Sequence, residues 1–164
     1  MLIHVEHGEI PPVFDEHSSV LILGTMPSPK SREAGFYYAH PQNRFWRVLA
    51  AVLGEPFPAT AEERRSLALR RGVALWDVLE QCDIEGAADS AIKNPVPNDI
   101  ASLLRRSGIK AVFTTGKAAA RLYRRFCVPA GCPPATELPS TSPANARMSL
   151  DELIRAYSVI AEYL

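Results

Sequence analysis

Between Gly35 and Trp46 the chain reads Gly-Phe-Tyr-Tyr-Ala-His-Pro-Gln-Asn-Arg-Phe-Trp. Five aromatic residues, a histidine, two amides and an arginine fall within one short segment. Cores favour apolar side chains, and loops favour Gly, Pro, Asn, Asp and Ser. This segment matches neither pattern. Aromatic faces interleaved with amides and a cation suit stacking on a planar heterocycle and reading its edge through hydrogen bonds.

Two other stretches raise the question of phosphate binding. Gly24-Thr25-Met26-Pro27-Ser28-Pro29-Lys30-Ser31 nearly spells the nucleotide-binding loop G-x-x-x-x-G-K-[ST]. Pro29 occupies the second glycine position, however, and proline can neither donate an N–H nor adopt a positive φ. Pro27 removes another donor. Nucleoside triphosphate binding, and with it a small kinase, is rejected on that ground. Gly116-Lys117 joins a strand directly to a helix, offering free N–H groups and a cation; a phosphate contact and a plain tight turn fit equally well. His4 and His7 have the spacing of two ligands on a helix, but Gly8 and Pro11-Pro12 disfavour a helix there.

The elements that must position these residues follow from periodicity. Ser19 to Gly24 is a short apolar run ending at glycine, the signature of a buried parallel strand. Val73–Val78, Ile109–Thr115 and Thr136–Leu138 read as three further strands. A helix starting near Asn43 carries Phe45, Trp46, Leu49, Val52 and Leu53 on one face, and Gly54 ends it. Thr60 and Glu63 box a second helix, closed by Gly72. Asn98 caps a third, Lys117 opens a fourth, and Ser149 and Glu152 box the last. Residues 1–17 read as a peripheral N-terminal arm. Gln81 to Pro97 reads as a long irregular loop of the kind that often carries function. Strands alternating with helices predict an α/β fold of three layers, α/β/α, around a central, mainly parallel four-stranded sheet. The loops after the four strands then share one rim: Thr25–Trp46, Gln81–Asn98, Gly116-Lys117 and Pro139–Asn145.

Composition sets the outer bounds. A chain of 164 residues suggests one domain, and 47% hydrophobic residues suffice for a core. Eighteen basic and eighteen acidic residues cancel, which counts mildly against a nucleic-acid binder. Their distribution is uneven, because Arg105 to Arg125 contains cations and no acid. A basic surface and a set of solvated helix faces both fit that run. Cys82, Cys127 and Cys132 make no pair of CxxC motifs, which argues against structural zinc and a four-cysteine cluster. Their odd number points to a reducing, intracellular compartment, and the chain is expected to be cytoplasmic. No apolar run approaches the roughly 20 residues that span a bilayer.

Three motifs together carry a resemblance. They are Gly24-Thr25-Met26-Pro27, Tyr38-Ala39-His40-Pro41-Gln42-Asn43-Arg44-Phe45-Trp46, and Leu138-Pro139-Ser140-Thr141-Ser142-Pro143-Ala144-Asn145. The chain resembles the uracil-DNA glycosylase superfamily from about Val20 to Leu164. The second motif is similar to the mismatch-specific uracil branch. The whole pattern, with Asn94-Pro95-Val96-Pro97-Asn98-Asp99-Ile100, looks most like the hypoxanthine-DNA (deoxyinosine) glycosylase branch. The resemblance implies a single glycosylase domain over 1–164 that extrudes a deaminated base from single- or double-stranded DNA and hydrolyses its N-glycosidic bond. It implies no metal or organic cofactor; the lack of a spanning run points to no membrane partner, and a monomer is the simplest expectation for an enzyme that searches DNA for damage. Two departures stand out. The uracil branch holds its attacking water on an asparagine where this chain has Met26, whose thioether cannot polarise water usefully. Its leucine wedge is replaced by Pro143 and Ala144, which suits single-stranded or weakened sites.

The resemblance also assigns candidate roles. Asn43 is the catalytic candidate, hydrogen-bonding the leaving base, orienting water, or both; the alternative is a helix cap. Tyr38 is the stacking platform, with Phe36 and Tyr37 as alternatives. Thr25, Met26, Pro27, Ser142 and Asn145 complete the expected base pocket. Arg44, Gly116, Lys117, Ser140, Pro143, Ala144 and Arg147 are the expected DNA contacts. His40 is an acid, a phosphate ligand or a packed structural histidine. Asp89, Ser90 and Lys93 are weaker candidates from the long loop. No lysine in the matched motifs suggests a Schiff base, so a monofunctional enzyme is expected. Uracil or mismatch excision, and a non-catalytic DNA-binding domain, stand as alternatives.

Overall fold

The computed structural model describes residues 2–8, 10–85 and 92–164. Its organising element is β2, Val20–Gly24, buried along its whole length. Val20 and Ile22 face one core, and Leu21 and Leu23 face another. A strand apolar on both faces must be central and covered on both sides. β3 (Val73–Asp77) pairs on one side and β6 (Ala111–Thr115) on the other, with β7 (Thr136–Leu138) beyond β6. All three pairings are parallel, in the order β3-β2-β6-β7.

Helices form the outer layers. α2 (Phe45–Leu53) and α6 (Leu150–Tyr157) pack Leu49, Leu53, Leu153 and Tyr157 into the first core, and α3 (Ala61–Arg70) adds Leu67 and Ala68. α4 (Ile100–Arg105) and α5 (Lys117–Phe126) cover the second face with Ile100, Leu103, Leu122 and Tyr123. α6 carries the expected capping box and runs into a 3₁₀ turn, Ser158–Tyr163. That tighter winding rotates the apolar stripe, so Ile160 is buried while Ala161 and Leu164 are exposed. No described helix is long and apolar enough to cross a membrane.

Five local expectations need correction. α1 (Pro29–Ala34) is a short helix in what reads as loop; Ser28 caps it, Pro29 opens it and Gly35 closes it at φ 72°. α2 starts at Phe45 rather than Asn43. Asp99, not Asn98, caps α4; Asn98 Nδ2 instead donates to the carbonyls of Asp77 and Leu79, at 2.9 and 3.1 Å. Finally, Gln81–Pro97 is not one irregular loop, and residues 1–17 are not peripheral. β1 (Leu2–Glu6), β4 (Leu79–Glu85) and β5 (Ile92–Pro97) form a second, antiparallel sheet in the order β1-β4-β5. Its strands are largely exposed or half-buried and mix polar with apolar residues, and β5 carries Pro95 and Pro97, tolerated because β5 lies at an edge. Such a strand lacks the apolar run that makes β2 legible. Val5, His7, Ile10 and Val13 of the arm are buried.

Register decides where chemistry can occur. Gly24 pairs with Asp77, and Thr115 with Leu138, so the four parallel strands end on one rim. The strand order reverses between β2 and β6, and open α/β sheets bind their ligands at such a crevice.

Candidate active site

A cavity of about 390 Å³ opens on that rim. Its walls come from the segment after β2, the ends of β3 and β6, the loop after β7, and the small sheet. Ile3, Val5, Ile84 and Ile92 give it one apolar wall, and the residues after β2 and β7 give it a polar one. Mixed lining of this size is usual for a small-molecule site.

Asn43 lines the cavity with its amide orientation set by its neighbours. Phe45 N–H donates to its Oδ1 at 2.9 Å, and so does Thr141 Oγ1 at 2.8 Å. Two donors on one atom identify that atom as the oxygen. Nδ2 then carries two N–H groups, and it makes no hydrogen bond among the described residues. The two readings of Asn43, cap and chemistry, therefore do not compete: its oxygen serves the helix entrance, and its nitrogen remains a donor. Thr141 is 2% exposed, so this pairing is shielded from water.

Tyr38 sits at φ 53°, an uncommon conformation for a non-glycine residue. Its ring stacks on Phe45 with centroids 3.9 Å apart and planes at 16°. Its hydroxyl lies 3.4 Å from Thr115 Oγ1. Burial holds that phenol well above its ordinary pKa, with the Asp77 carboxyl adding to the shift. Tyr38 is thus a neutral, backed aromatic at the cavity wall.

Thr25, Met26, Pro27 and Ser142, expected in the pocket, also line the cavity, as does His40. His40 Nδ1 accepts from Gln42 N–H at 3.0 Å, which ties its ring to the local turn. Two expected pocket residues lie elsewhere. Phe36 is core, stacked on Trp46 with centroids 6.0 Å apart and edge-on to Tyr37. Asn145 Nδ2 donates to Ser140 O at 2.9 Å, holding the loop rather than facing the cavity. Both misplacements share a cause: a motif match places a residue in a rim loop but does not say which way its side chain turns.

The expected DNA contacts divide similarly. Ser140 and Pro143 line the cavity; Ala144, Arg147 and Lys117 are exposed and are not among its lining residues. Gly116, at φ 90°, lets the chain turn under Ser140; a side-chain carbon there would sit 3.5 Å from Ser140 Cβ. Ser140 Oγ accepts from Ser142 N–H, and Ser142 Oγ from Ala144 N–H, so both hydroxyls also shape the turn. Arg44, an expected phosphate contact, donates to Met148 O at 2.6 Å and Asn145 O at 2.9 Å. It fastens the loop after β7 to the start of α2. Lys93 is exposed on β5, and Asp89 and Ser90 lie outside the described residues.

Sequence reasoning missed a buried pair. Asp77 is 3% exposed and His7 is 5% exposed. His7 Nε2 and Asp77 Oδ2 share a hydrogen bond of 2.9 Å, and Asp77 lines the cavity. Burial pushes the Asp77 carboxyl up from its ordinary value, and the hydrogen bond from His7 opposes that shift. A signal for Asp77 exists, a carboxylate at the C-terminal end of an apolar strand. None exists for His7, which is 70 residues away.

Comparison with known proteins agrees with this architecture. Residues 11–160 match the family model of the Uracil DNA glycosylase superfamily. The chain is similar to the hypoxanthine DNA glycosylase of Methanosarcina barkeri, 38% identical over 109 residues, covering 65% of this chain and 69% of that one. It is 33% identical over 141 residues to the hypoxanthine DNA glycosylase of Methanosarcina acetivorans, covering 85% of this chain and 88% of that one. A solution NMR structure of a candidate uracil DNA glycosylase from Methanosarcina acetivorans superposes with a TM-score of 0.77 at 29% identity, covering 93% of this chain and 96% of that one.

Proposed function

This chain belongs to the uracil DNA glycosylase superfamily, and from that premise we propose that it is a monofunctional DNA glycosylase that releases hypoxanthine from deoxyinosine. Its whole length works as one glycosylase domain on DNA. The names of two relatives at 33–38% identity support the substrate. The observation that carries the mechanism is Asn43, which lines the cavity: its oxygen is held by two donors, and its amide nitrogen makes no hydrogen bond among the described residues.

The target base leaves the stack and enters the cavity against Tyr38. Breaking the N-glycosidic bond places positive charge on the sugar and negative charge on the base. Asn43 Nδ2 donates to an acceptor on the departing purine, and a donor aimed at developing charge lowers the barrier. The amide oxygen, already accepting two hydrogen bonds, is a poor partner for a water nucleophile. Met26 offers none either. The reaction therefore runs through leaving-group stabilisation, with water completing the hydrolysis at an electron-poor sugar carbon. Pro143 and Ala144 form a small, exposed loop tip, which favours single-stranded or already weakened sites.

The test is cleavage of oligonucleotides carrying one deoxyinosine or one deoxyuridine, single- and double-stranded, followed by hot alkali. Wild type should cut at deoxyinosine and Asn43→Ala should not. Cleavage mainly at deoxyuridine would favour the uracil reading. Binding without any cleavage would favour a non-catalytic domain.

A further inference from the structure

The run from Arg105 to Arg125 holds seven cations and no acid. All seven are exposed, and none makes an ion pair among the described residues. Four of them, Lys117, Arg121, Arg124 and Arg125, belong to α5 at i, i+4, i+7 and i+8, which makes one stripe. Ala119, Ala120, Leu122 and Tyr123 form the buried stripe opposite. The stripe departs from the other long helices of this chain. α3 and α6 each open on two acids and carry arginine in the last turn, as the helix dipole favours. Arg124 and Arg125 suit the end of α5, but Lys117 opposes the dipole at its start. Lys117–Arg121 and Arg121–Arg125 are also like-charge pairs at i, i+4, which weaken a helix. A polyanion laid along α5 relieves that repulsion.

The stripe is continuous with the cavity. Thr115 lines the cavity, Gly116 caps α5, and Lys117 is its first residue. Arg121 and Arg124 follow about 6 and 10.5 Å further along the helix axis. Because the chain is neutral as a whole, its surface elsewhere is acidic in balance, and a polyanion is drawn to this face rather than the others. On the opposite layer, α3 and α6 mix both signs. Resting on the glycosylase reading above, we propose that the DNA strand whose base occupies the cavity continues along α5, with the phosphates on one side of that base set against Lys117, Arg121, Arg124 and Arg125. The grip on the flanking strand is therefore one-sided. An acidic peptide would match the charge equally well, but the stripe starts at the cavity wall, where the strand already lies.

The experiment uses the full chain and reads binding apart from base release. Anisotropy titrations at several salt concentrations use single-stranded oligonucleotides with one deoxyinosine: short on both sides, extended only 5′, or extended only 3′. Wild type should gain affinity from one extension and not from the other. Arg121→Gln/Arg124→Gln/Arg125→Gln keeps good helix formers on an exposed face and should lose that gain. On the favoured oligonucleotide its affinity should fall roughly 100-fold at about 0.1 M salt, and the slope of log affinity against log salt by about 2, at about 0.7 for each lost phosphate contact. Its loss on the short oligonucleotide should be at least about tenfold smaller. The corresponding triple lysine variant keeps the charges and should keep the gain. Equal gains from both extensions, or equal losses on short and extended strands, would overturn the proposal, since either marks a diffuse field rather than a path. So would a glutamate-rich peptide that binds wild type and not the glutamine variant while neither extension matters, which marks an acidic protein partner. A wild type that shows the one-sided gain but releases no hypoxanthine would remove the glycosylase reading and leave the path along α5 standing.

Discussion

Thr141→Val removes one hydroxyl and keeps the shape of the side chain. Thr141 Oγ1 supplies one of the two hydrogen bonds that hold Asn43 Oδ1, at 2.8 Å; Phe45 N–H supplies the other, at 2.9 Å. With both donors present, turning the amide over would set its N–H groups against two donors. With one removed, the preference for the productive orientation falls by about 1 kcal/mol, the net value of a neutral hydrogen bond. At 1.4 kcal/mol per factor of ten, the chemical step should slow by about fivefold. The ceiling is Asn43→Ala, which removes the donor itself and should cost about 100- to 1,000-fold, as oxyanion-hole donors do. Stability should fall by about 1 kcal/mol, lowering Tm by roughly 2–4 °C for a chain of this size. The assay is single-turnover release of hypoxanthine under excess enzyme, beside DNA affinity measured by anisotropy. Thr141→Ser restores the hydroxyl and should recover the rate. An unchanged rate in Thr141→Val would show that the amide orientation is immaterial. A loss as large as that of Asn43→Ala, or one borne wholly by affinity, would equally refute the reasoning.

Gly24→Ala puts a methyl group 2.6 Å from Asp77 Oδ1; it should cost about 1–3 kcal/mol of overpacking and abolish most hypoxanthine release, read by denaturation and by base-release kinetics. Lys117→Ala with Arg147→Ala removes two exposed cations. The slope of log affinity against log salt on duplex DNA should then fall by about 0.9 for each phosphate that the variant no longer neutralises, and an unaltered slope would exclude both. Asp77 also predicts a pH dependence. Its folded pKa is raised by burial, so its contribution to stability is full below its unfolded pKa and is lost as pH rises through the folded value. Asp77→Asn has no such proton to lose. Its Tm should therefore gain on that of wild type as pH rises above the ordinary carboxylate range, and a constant difference would contradict the burial argument.

Much of this architecture is written in local patterns. The unbroken apolar run Val20–Leu23 could only be a strand buried on both faces, and it is the centre of the parallel sheet. Ser149 and Glu152 announce α6 and form the capping box they spell. The three motifs after β2 and β7 name the family, and the residues they single out, from Thr25 to Ser142, largely meet at one cavity. Such signals survive in sequence because neighbouring residues enforce them, through periodicity, caps and the chemistry of turns. The small sheet left no such trace, since short, half-exposed strands of mixed polarity, one of them carrying two prolines, look like loop. Nor could local pattern reveal that Arg44 turns to the carbonyls of Asn145 and Met148, that Thr141 orients Asn43, or that His7 meets Asp77 across 70 residues. Those pairings depend on strand register and on how the rim loops fold over one another, and long-range contacts of this kind exist only once the sheet is assembled.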